Sequence, residues 1–252
     1  MVHPMIAANW KMHKTIPEAV DFARALKAEF PETADRDIVL APPYTALSAV
    51  AAVLKDSPIH LGAQNVHWEE KGAFTGEISA AMLADAGCRY VIVGHSERRT
   101  LFGETNETVN RKLRSVLDHN LLPILCIGET LEEREEERTF SVIEEQVKEA
   151  LNNMSASDIR RFTFAYEPVW AIGTGKTATA GQAQEVHAFI RKLLGDAYGG
   201  ESAAAIAILY GGSVKADNIA SLMAEADING ALVGGASLDA AVFGSIVRYD
   251  RQ

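Results

Sequence analysis

Phe162-Thr-Phe-Ala-Tyr-Glu167-Pro-Val-Trp-Ala-Ile-Gly173-Thr-Gly175-Lys-Thr-Ala178 reads as an apolar run, a glycine-hinged loop and then the start of a helical pattern. The run Phe162 to Tyr166 has the composition of a fully buried strand. A carboxylate, Glu167, stands at its end and Pro168 follows at once. A carboxylate in that position is kept from water by the loop above it, which is where a catalytic base belongs. It could equally end a strand and cap a turn, and the rest of the chain decides between the two.

The same unit recurs along the sequence. Short apolar runs lie at Met5–Ala8, Ile38–Ala41, Ile59–Ala63, Tyr90–Val93, Pro123–Ile127, Phe162–Tyr166, Ile206–Tyr210 and Ala231–Val233. They are too short and too uniformly apolar for half-exposed strands, and suit parallel strands covered on both faces. Stretches with helical spacing separate them, such as Ile16/Val20/Ala23/Phe30, Val109/Leu113/Val116, Phe140/Ile143/Val147/Leu151 and Val186/Phe189/Ile190/Leu193. Eight alternations with no Pro/Gly/Ser-rich linker favour an α/β fold, a closed (β/α)8 barrel spanning residues 1–252 as a single domain, over an open doubly wound sheet. The acidic run Glu132–Arg138 is expected to open a helix, where its charge suits the positive end of the dipole.

Composition narrows the function. Of 252 residues, 48% are apolar and 23% charged, and the net charge of −10 argues against a broad basic face for nucleic acid or an anionic membrane. A small anion could still bind, since a few backbone N–H groups and one lysine suffice locally. Cys88 and Cys126 sit in apolar surroundings without metal-ligand spacing, as small buried hydrophobes of a reducing compartment. The N-terminal residues lack the pattern of a signal peptide, and no apolar run reaches the roughly 20 residues needed to span a bilayer. A cytoplasmic location is expected.

In a parallel barrel the C-terminal strand ends share one face. Residues following the runs therefore converge: Asn9 and Lys11, Asn65, His95 and Glu97, Glu129, Glu167, Gly211-Gly-Ser213 and Gly234-Gly235. Ser96 is expected to cap a short helix and place the His95 imidazole near its positive end, which disfavours imidazolium. Lys11 would supply positive charge for an anionic substrate. The turns at Ser213 and at Gly234 and Gly235 both precede helical patterns, so their backbone N–H groups could hold a phosphate. Gly173-Thr-Gly175-Lys-Thr177 imitates a nucleotide-binding loop, but Trp170 stands where that pattern requires glycine. One connection, Gln64 to Glu77, is long and unusually apolar, with Trp68 and Phe74. It either folds back on its own barrel or docks into a second subunit, and its composition favours the second.

Taken together these residues resemble the triosephosphate isomerase family over essentially the whole chain. The resemblance rests on six blocks in order: Asn9-Trp-Lys11-Met, Gly94-His95-Ser-Glu97-Arg98-Arg99, Phe102-Gly-Glu104-Thr, Ala165 to Ala178, Tyr210-Gly-Gly-Ser-Val214 and Gly230 to Leu238. It implies a TIM barrel and an isomerase interconverting dihydroxyacetone phosphate and D-glyceraldehyde 3-phosphate through an enediol(ate), a step of glycolysis and gluconeogenesis, with no metal or organic cofactor. The alternatives are a phosphosugar isomerase of different chain length and a phosphosugar-binding barrel without catalysis. By resemblance Glu167 is the base and His95, assisted by Asn9, the neutral electrophile; this family is itself the reference case for that pairing. Lys11 offsets the phosphate charge, and Glu97 supports or relays protons. The backbone at Gly173, Ser213, Gly234 and Gly235 holds the phosphate.

The lid implied by the resemblance runs through Pro168, Val169, Trp170, Ala171, Ile172, Gly173, Thr174, Gly175, Lys176, Thr177 and Ala178, with hinges at its two ends. The Gln64–Glu77 loop matches an interlocking homodimer loop, with Thr75 reaching the neighbouring active site. The departures are Ala8 where glycine is frequent, His13 where Asn is common, and Asn229 where Asp is frequent. None of them is a proposed catalytic side chain.

Overall fold

A computed structural model describes residues 2–172 and 177–250. Strands β1 (Met5–Asn9), β2 (Asp37–Ala41), β3 (Ile59–Ala63), β4 (Tyr90–Val93), β5 (Leu122–Ile127), β6 (Thr163–Tyr166), β7 (Ala207–Tyr210) and β8 (Gly230–Val233) form a closed parallel barrel in sequence order. The ring closes where Met5 to Ala8 of β1 pair with Gly230 to Val233 of β8. Every apolar run identified in the sequence is a strand to within one residue at each end. Helices lie between the strands, among them Ile16–Glu29, Asn106–Asp118, Thr139–Ala150 and Ala180–Tyr198.

The buried residues divide into two cores, and strand periodicity explains the division. Side chains alternate between the inside of the barrel and the helix-covered outside. On β6, Phe164 and Tyr166 join the outer core while Ala165 joins the inner one. On β1, Ile6 and Ala8 face out and Ala7 faces in. The inner core is lean, built from residues such as Met5, Val39, Ile92, Ile124, Leu209 and Leu232. The inward phase also places the site. Two residues beyond Ala7, Ala165, Leu209 and Leu232 stand Asn9, Glu167, Gly211 and Gly234. His95 falls out of phase with Ile92, and the left-handed turn at Gly94 (φ +75°) resets the chain before it.

The acidic run opens a helix as expected, a short one, Leu131–Glu135, with Glu132 and Glu133 in its first turn and Thr130 as its cap; the following helix starts at Thr139. Glu137 takes a left-handed conformation (φ +57°) between the two. Two local expectations need correction. Ile16 and Phe140, read as members of buried stripes, are partly exposed because each lies in the first turn of its helix, outside the packed face. Ser96 is not a cap; the cap is His95 itself, whose ring nitrogen accepts the Glu97 N–H at the start of helix Ser96–Phe102.

Behind β6 lies a titratable group that the sequence did not single out. His187, on the helix Ala180–Tyr198, is fully buried edge-on to Tyr166, with ring centroids 5.8 Å apart. Its Nδ1 donates to the Asp227 carbonyl at 3.2 Å. Burial pushes its pKa down to about 4, whereas an unfolded histidine titrates near ~6.5. The unfolded chain therefore takes up this proton first as pH falls. Stability present above pH ~6.5 should drop by about 3 kcal/mol by pH ~4 on this account. Denaturant unfolding at fixed protein concentration should show a shallower acid slope for His187→Gln than for the wild type. Equal slopes would remove His187 from the acid response.

Candidate active site

Glu167, at the barrel mouth, is almost completely buried, 2% exposed. Two close approaches require glycine around it. A Cβ on Gly211 would lie 2.9 Å from Glu167 Cγ, and one on Gly128 would lie 1.7 Å from the Glu167 carbonyl oxygen. Within that space Glu167 Oε1 meets His95 Nε2 at 3.0 Å, and Oε2 accepts the Ser96 N–H at 2.9 Å.

The His95 ring is held from its other side as well. Its Nδ1 accepts the Glu97 N–H at 3.2 Å, so that nitrogen carries no proton and the ring hydrogen resides on Nε2. Burial opposes the charged ring, but the Glu167 carboxylate, with Glu97 in support, outweighs it and lifts the His95 pKa above its ordinary value in this arrangement. For Glu167, burial pushes upward, while His95, the Ser96 N–H and Lys11 prevail and hold it below the usual carboxylate range. The lift on His95 therefore depends on where Glu167 sits. Without that carboxylate, burial, Lys11 and the helix N-terminus favour neutral imidazole, with Glu97 opposing them.

Lys11 projects from a left-handed backbone position (φ +51°), and its Nζ donates to Glu97 Oε1 at 2.6 Å. Asn9, buried at the end of β1, accepts the Lys11 N–H at 3.0 Å and so fixes the turn between them. The glycine turns complete the mouth, that after β8 lying directly beside Lys11. Asn218 Nδ2 donates to the Ser213 carbonyl at 2.9 Å, and Ser237 Oγ donates to the Gly234 carbonyl at 2.7 Å. The turn after β8 runs directly into a 3-10 turn, Gly235–Leu238, as the sequence suggested. The turn after β7 does not, because the next helix begins only at Ile219. This turn therefore offers backbone N–H groups to the cavity and no helix end.

A cavity of about 310 Å³ gathers Asn9, Lys11, His95, Glu167, Ser213, Gly234 and Gly235. Glu97 lines a neighbouring cavity of about 230 Å³, joined to the first through Asn9, Lys11 and His95. Of the expected lid, Pro168 to Ile172 form a 3-10 turn with its flanks, and Thr177 and Ala178 lead into the next helix. Gly173, Thr174, Gly175 and Lys176 lie outside the described residues.

One part of the site carried no sequence signal, and another was placed at the mouth by its strand without a role. The first is the Ser96 N–H on Glu167, a backbone donor that any residue but proline supplies. The other is Glu129, fully buried, whose Oε1 accepts from Tyr166 Oη (3.0 Å), Trp170 Nε1 (2.9 Å) and Arg134 Nη1 (3.1 Å). The Val169 N–H also donates to the Glu129 carbonyl at 3.1 Å, so the leading end of the loop is tied to β5 at two points.

The fold and its mouth define a class: a (β/α)8 barrel that sets a buried carboxylate against an imidazole, with an amine beside them and glycine turns across the cavity. The family model described as triosephosphate isomerase matches residues 4–250. The chain belongs to the triosephosphate isomerase family. It is 57% identical to the triosephosphate isomerase of Moorella thermoacetica over 251 residues, covering the whole of both chains. Against that of Syntrophotalea carbinolica it is 55% identical over 249 residues, 99% of each. Among solved structures, the triosephosphate isomerase of Bartonella henselae superposes with a TM-score of 0.90 at 39% identity, over the full length of both.

The dependence of His95 on its neighbour can be measured. In Glu167→Gln the midpoint of His95, followed by NMR of the ring, should fall below that of the wild type. A midpoint that stays put would show that Glu167 does not set it.

Proposed function

We propose that Glu167, His95, Lys11 and Asn9 carry out the isomerisation of dihydroxyacetone phosphate and D-glyceraldehyde 3-phosphate at this mouth. The carrying observation is the contact between Glu167 Oε1 and His95 Nε2, with the ring tautomer fixed by the Glu97 N–H. Glu167 takes a proton from the carbon next to the carbonyl and returns it to the adjacent carbon. The Nε2–H of His95 donates to the oxygen where negative charge builds, and Asn9 assists. A donor aimed at developing charge in a dry site is typically worth about 3 kcal/mol of barrier. Lys11 balances the anion, and Glu97 holds Lys11 in place. Ser213, Gly234 and Gly235, with Gly173, take the phosphate through backbone N–H groups. The Pro168–Ala178 segment closes over the substrate, with Glu129 anchoring its leading end through Trp170.

The working unit in this reading is a homodimer of single-domain barrels. The Gln64–Glu77 loop divides into two parts. Its base is held by its own chain: Trp68 stacks on His67 with Arg111 above it, and Gln64 Nε2 donates to the Lys11 and Ala41 carbonyls. Glu70 to Glu77 are exposed, with Phe74 and Thr75 at the tip. The cavity of about 230 Å³, walled by Tyr44, Asn65, Arg98 and Phe102, is a receiving hole for a partner's tip. Its wall is braced where Arg98 donates to Glu104 at 2.6 Å and Lys112 donates to Asn65 at 2.8 Å. Met12, Leu101 and Phe102 expose apolar surface around the hole. A partner tip there would bear on Lys11 and Glu97. Both cysteines are free and buried, which fits a reducing, cytoplasmic setting.

A coupled assay on the triose phosphates tests the reading. Glu167→Gln should keep the fold and phosphate affinity while losing several orders of magnitude in kcat; retained turnover would remove Glu167 from the base role. Thr75→Arg should shift the dimer toward monomer in sedimentation at low concentration, and an unchanged dimer would rule out Thr75 as an interface contact.

A further inference from the structure

Lys14 is not part of the cavity wall, yet it joins two neighbouring loops, those after β1 and β8, at the phosphate end. It follows β1 in the same loop as Lys11 and takes a left-handed conformation (φ +75°), unfavourable for a residue with a Cβ. Its Nζ donates to the Leu238 carbonyl at 2.7 Å, bridging 224 residues of sequence. On the way its ammonium lies 5.4 Å from the Trp10 ring centroid and 4.9 Å from that of Phe22. Trp10 and Phe22 are buried and meet edge to face, so the lysine rests on fixed aromatic ground.

Leu238 ends the 3-10 turn that Gly234 and Gly235 begin. That turn is stiffened at its start, where the Ser237 N–H and Oγ both donate to the Gly234 carbonyl. The same two loops also touch at the cavity, since a Cβ on Gly234 would lie 3.5 Å from Lys11 Cε. One loop thus presents Lys11 to the anion while the other presents backbone N–H groups, and Lys14 is the polar link between them outside the cavity.

We propose that Lys14 is a positioning residue, a strut that sets the spacing between Lys11 and the Gly234–Gly235 turn and so tunes affinity for the substrate phosphate. This deepens the functional reading above and rests on it. Three features support a strut over a solvated lysine: the strained backbone is tolerated, the charge sits over two rings, and the acceptor is a main-chain carbonyl of the phosphate turn. A carbonyl at the end of such a turn needs a donor, and a cation there is favourable.

Three variants separate the contributions. Lys14→Met keeps the stem and the left-handed backbone but deletes the ammonium. Lys14→Gly deletes the strut and relieves the backbone. Lys14→Arg retains a cationic donor. With glyceraldehyde 3-phosphate as substrate and inorganic phosphate as competitor, Lys14→Met and Lys14→Gly should both raise KM and the phosphate Ki by about 5- to 10-fold, with kcat within about two-fold of wild type. Lys14→Arg should recover most of the loss. The increase should persist when wild type and variant are compared at raised ionic strength, because a fixed contact is not screened as a distant charge is.

Unchanged KM and Ki in Lys14→Met overturn the strut, as does an increase that vanishes with salt. So does a Lys14→Gly variant, more stable in thermal melts than Lys14→Met, that binds phosphate like the wild type. A wild-type protein that phosphate does not inhibit would instead overturn the phosphate-site reading, and the strut with it.

Discussion

A buried carboxylate held by two donors organises this molecule. Glu167 is nearly free of solvent, and an ionised group in such a place is strongly disfavoured unless hydrogen bonds replace its water. The His95 Nε2 and the Ser96 N–H supply them from adjacent residues. They come from one turn, and that turn exists because Gly94 reverses the strand phase and His95 then caps the helix. A single local device thus stabilises the ionised carboxylate, fixes the tautomer of the imidazole and brings the two within one hydrogen bond. In the role proposed above for Glu167, substrate has to replace those contacts.

The lean interior of the barrel follows from the same constraint. Inward residues alternate along each strand, and those at the strand ends are Asn9, Glu167, Gly211 and Gly234 rather than large apolar groups. Cys126 sits at the end of the inner core with its thiol pushed well up, first by burial and then by Glu167. A neutral thiol fills volume there without adding a second charge beside the carboxylate. Stability resides mainly in the outer core, where strands and helices share large side chains such as Trp10, Phe164, Tyr166 and Phe243. The chemistry is thereby separated from the packing that carries the fold.

Most of this was legible in the sequence because it is written in periodicity. Eight short apolar runs gave eight strands, and the polar residues just beyond them line one mouth. The quantities that escaped are those set by backbone groups or by phase. Nothing in the type of Ser96 announces an N–H for Glu167, since the donor belongs to the main chain. The cap was assigned to Ser96 because serine is a common cap, whereas the positive φ of Gly94 moved the cap to His95. The glycine pair after β7 marks a turn without fixing how soon a helix follows, and the helix begins at Ile219. The apolar Gln64–Glu77 loop reads as one object, yet its base folds on its own barrel while residues 70–77 are exposed, with Phe74 turned back onto His67. Composition cannot divide a loop that way; the stack of His67, Trp68 and Arg111 does.

Charge placement shows how a chain of net charge −10 can favour an anion at one point. Lys11 carries its charge at the mouth, and Glu97 pairs with it from the flank without occupying the cavity lined by the glycine turns. Near Lys11, the turns after β7 and β8 contribute backbone partial charges that do not titrate as side chains do. The acidic groups of helix Leu131–Glu135 lie outside this cavity, on the far side of Glu129 and Trp170. Overall acidity and local anion affinity are therefore compatible, since the field felt by a small ligand is set within a Debye length of about 8 Å. What such a site demands is geometry: the lysine and the backbone donors must stand the right distance apart, and that spacing is a property of two loops far apart in sequence.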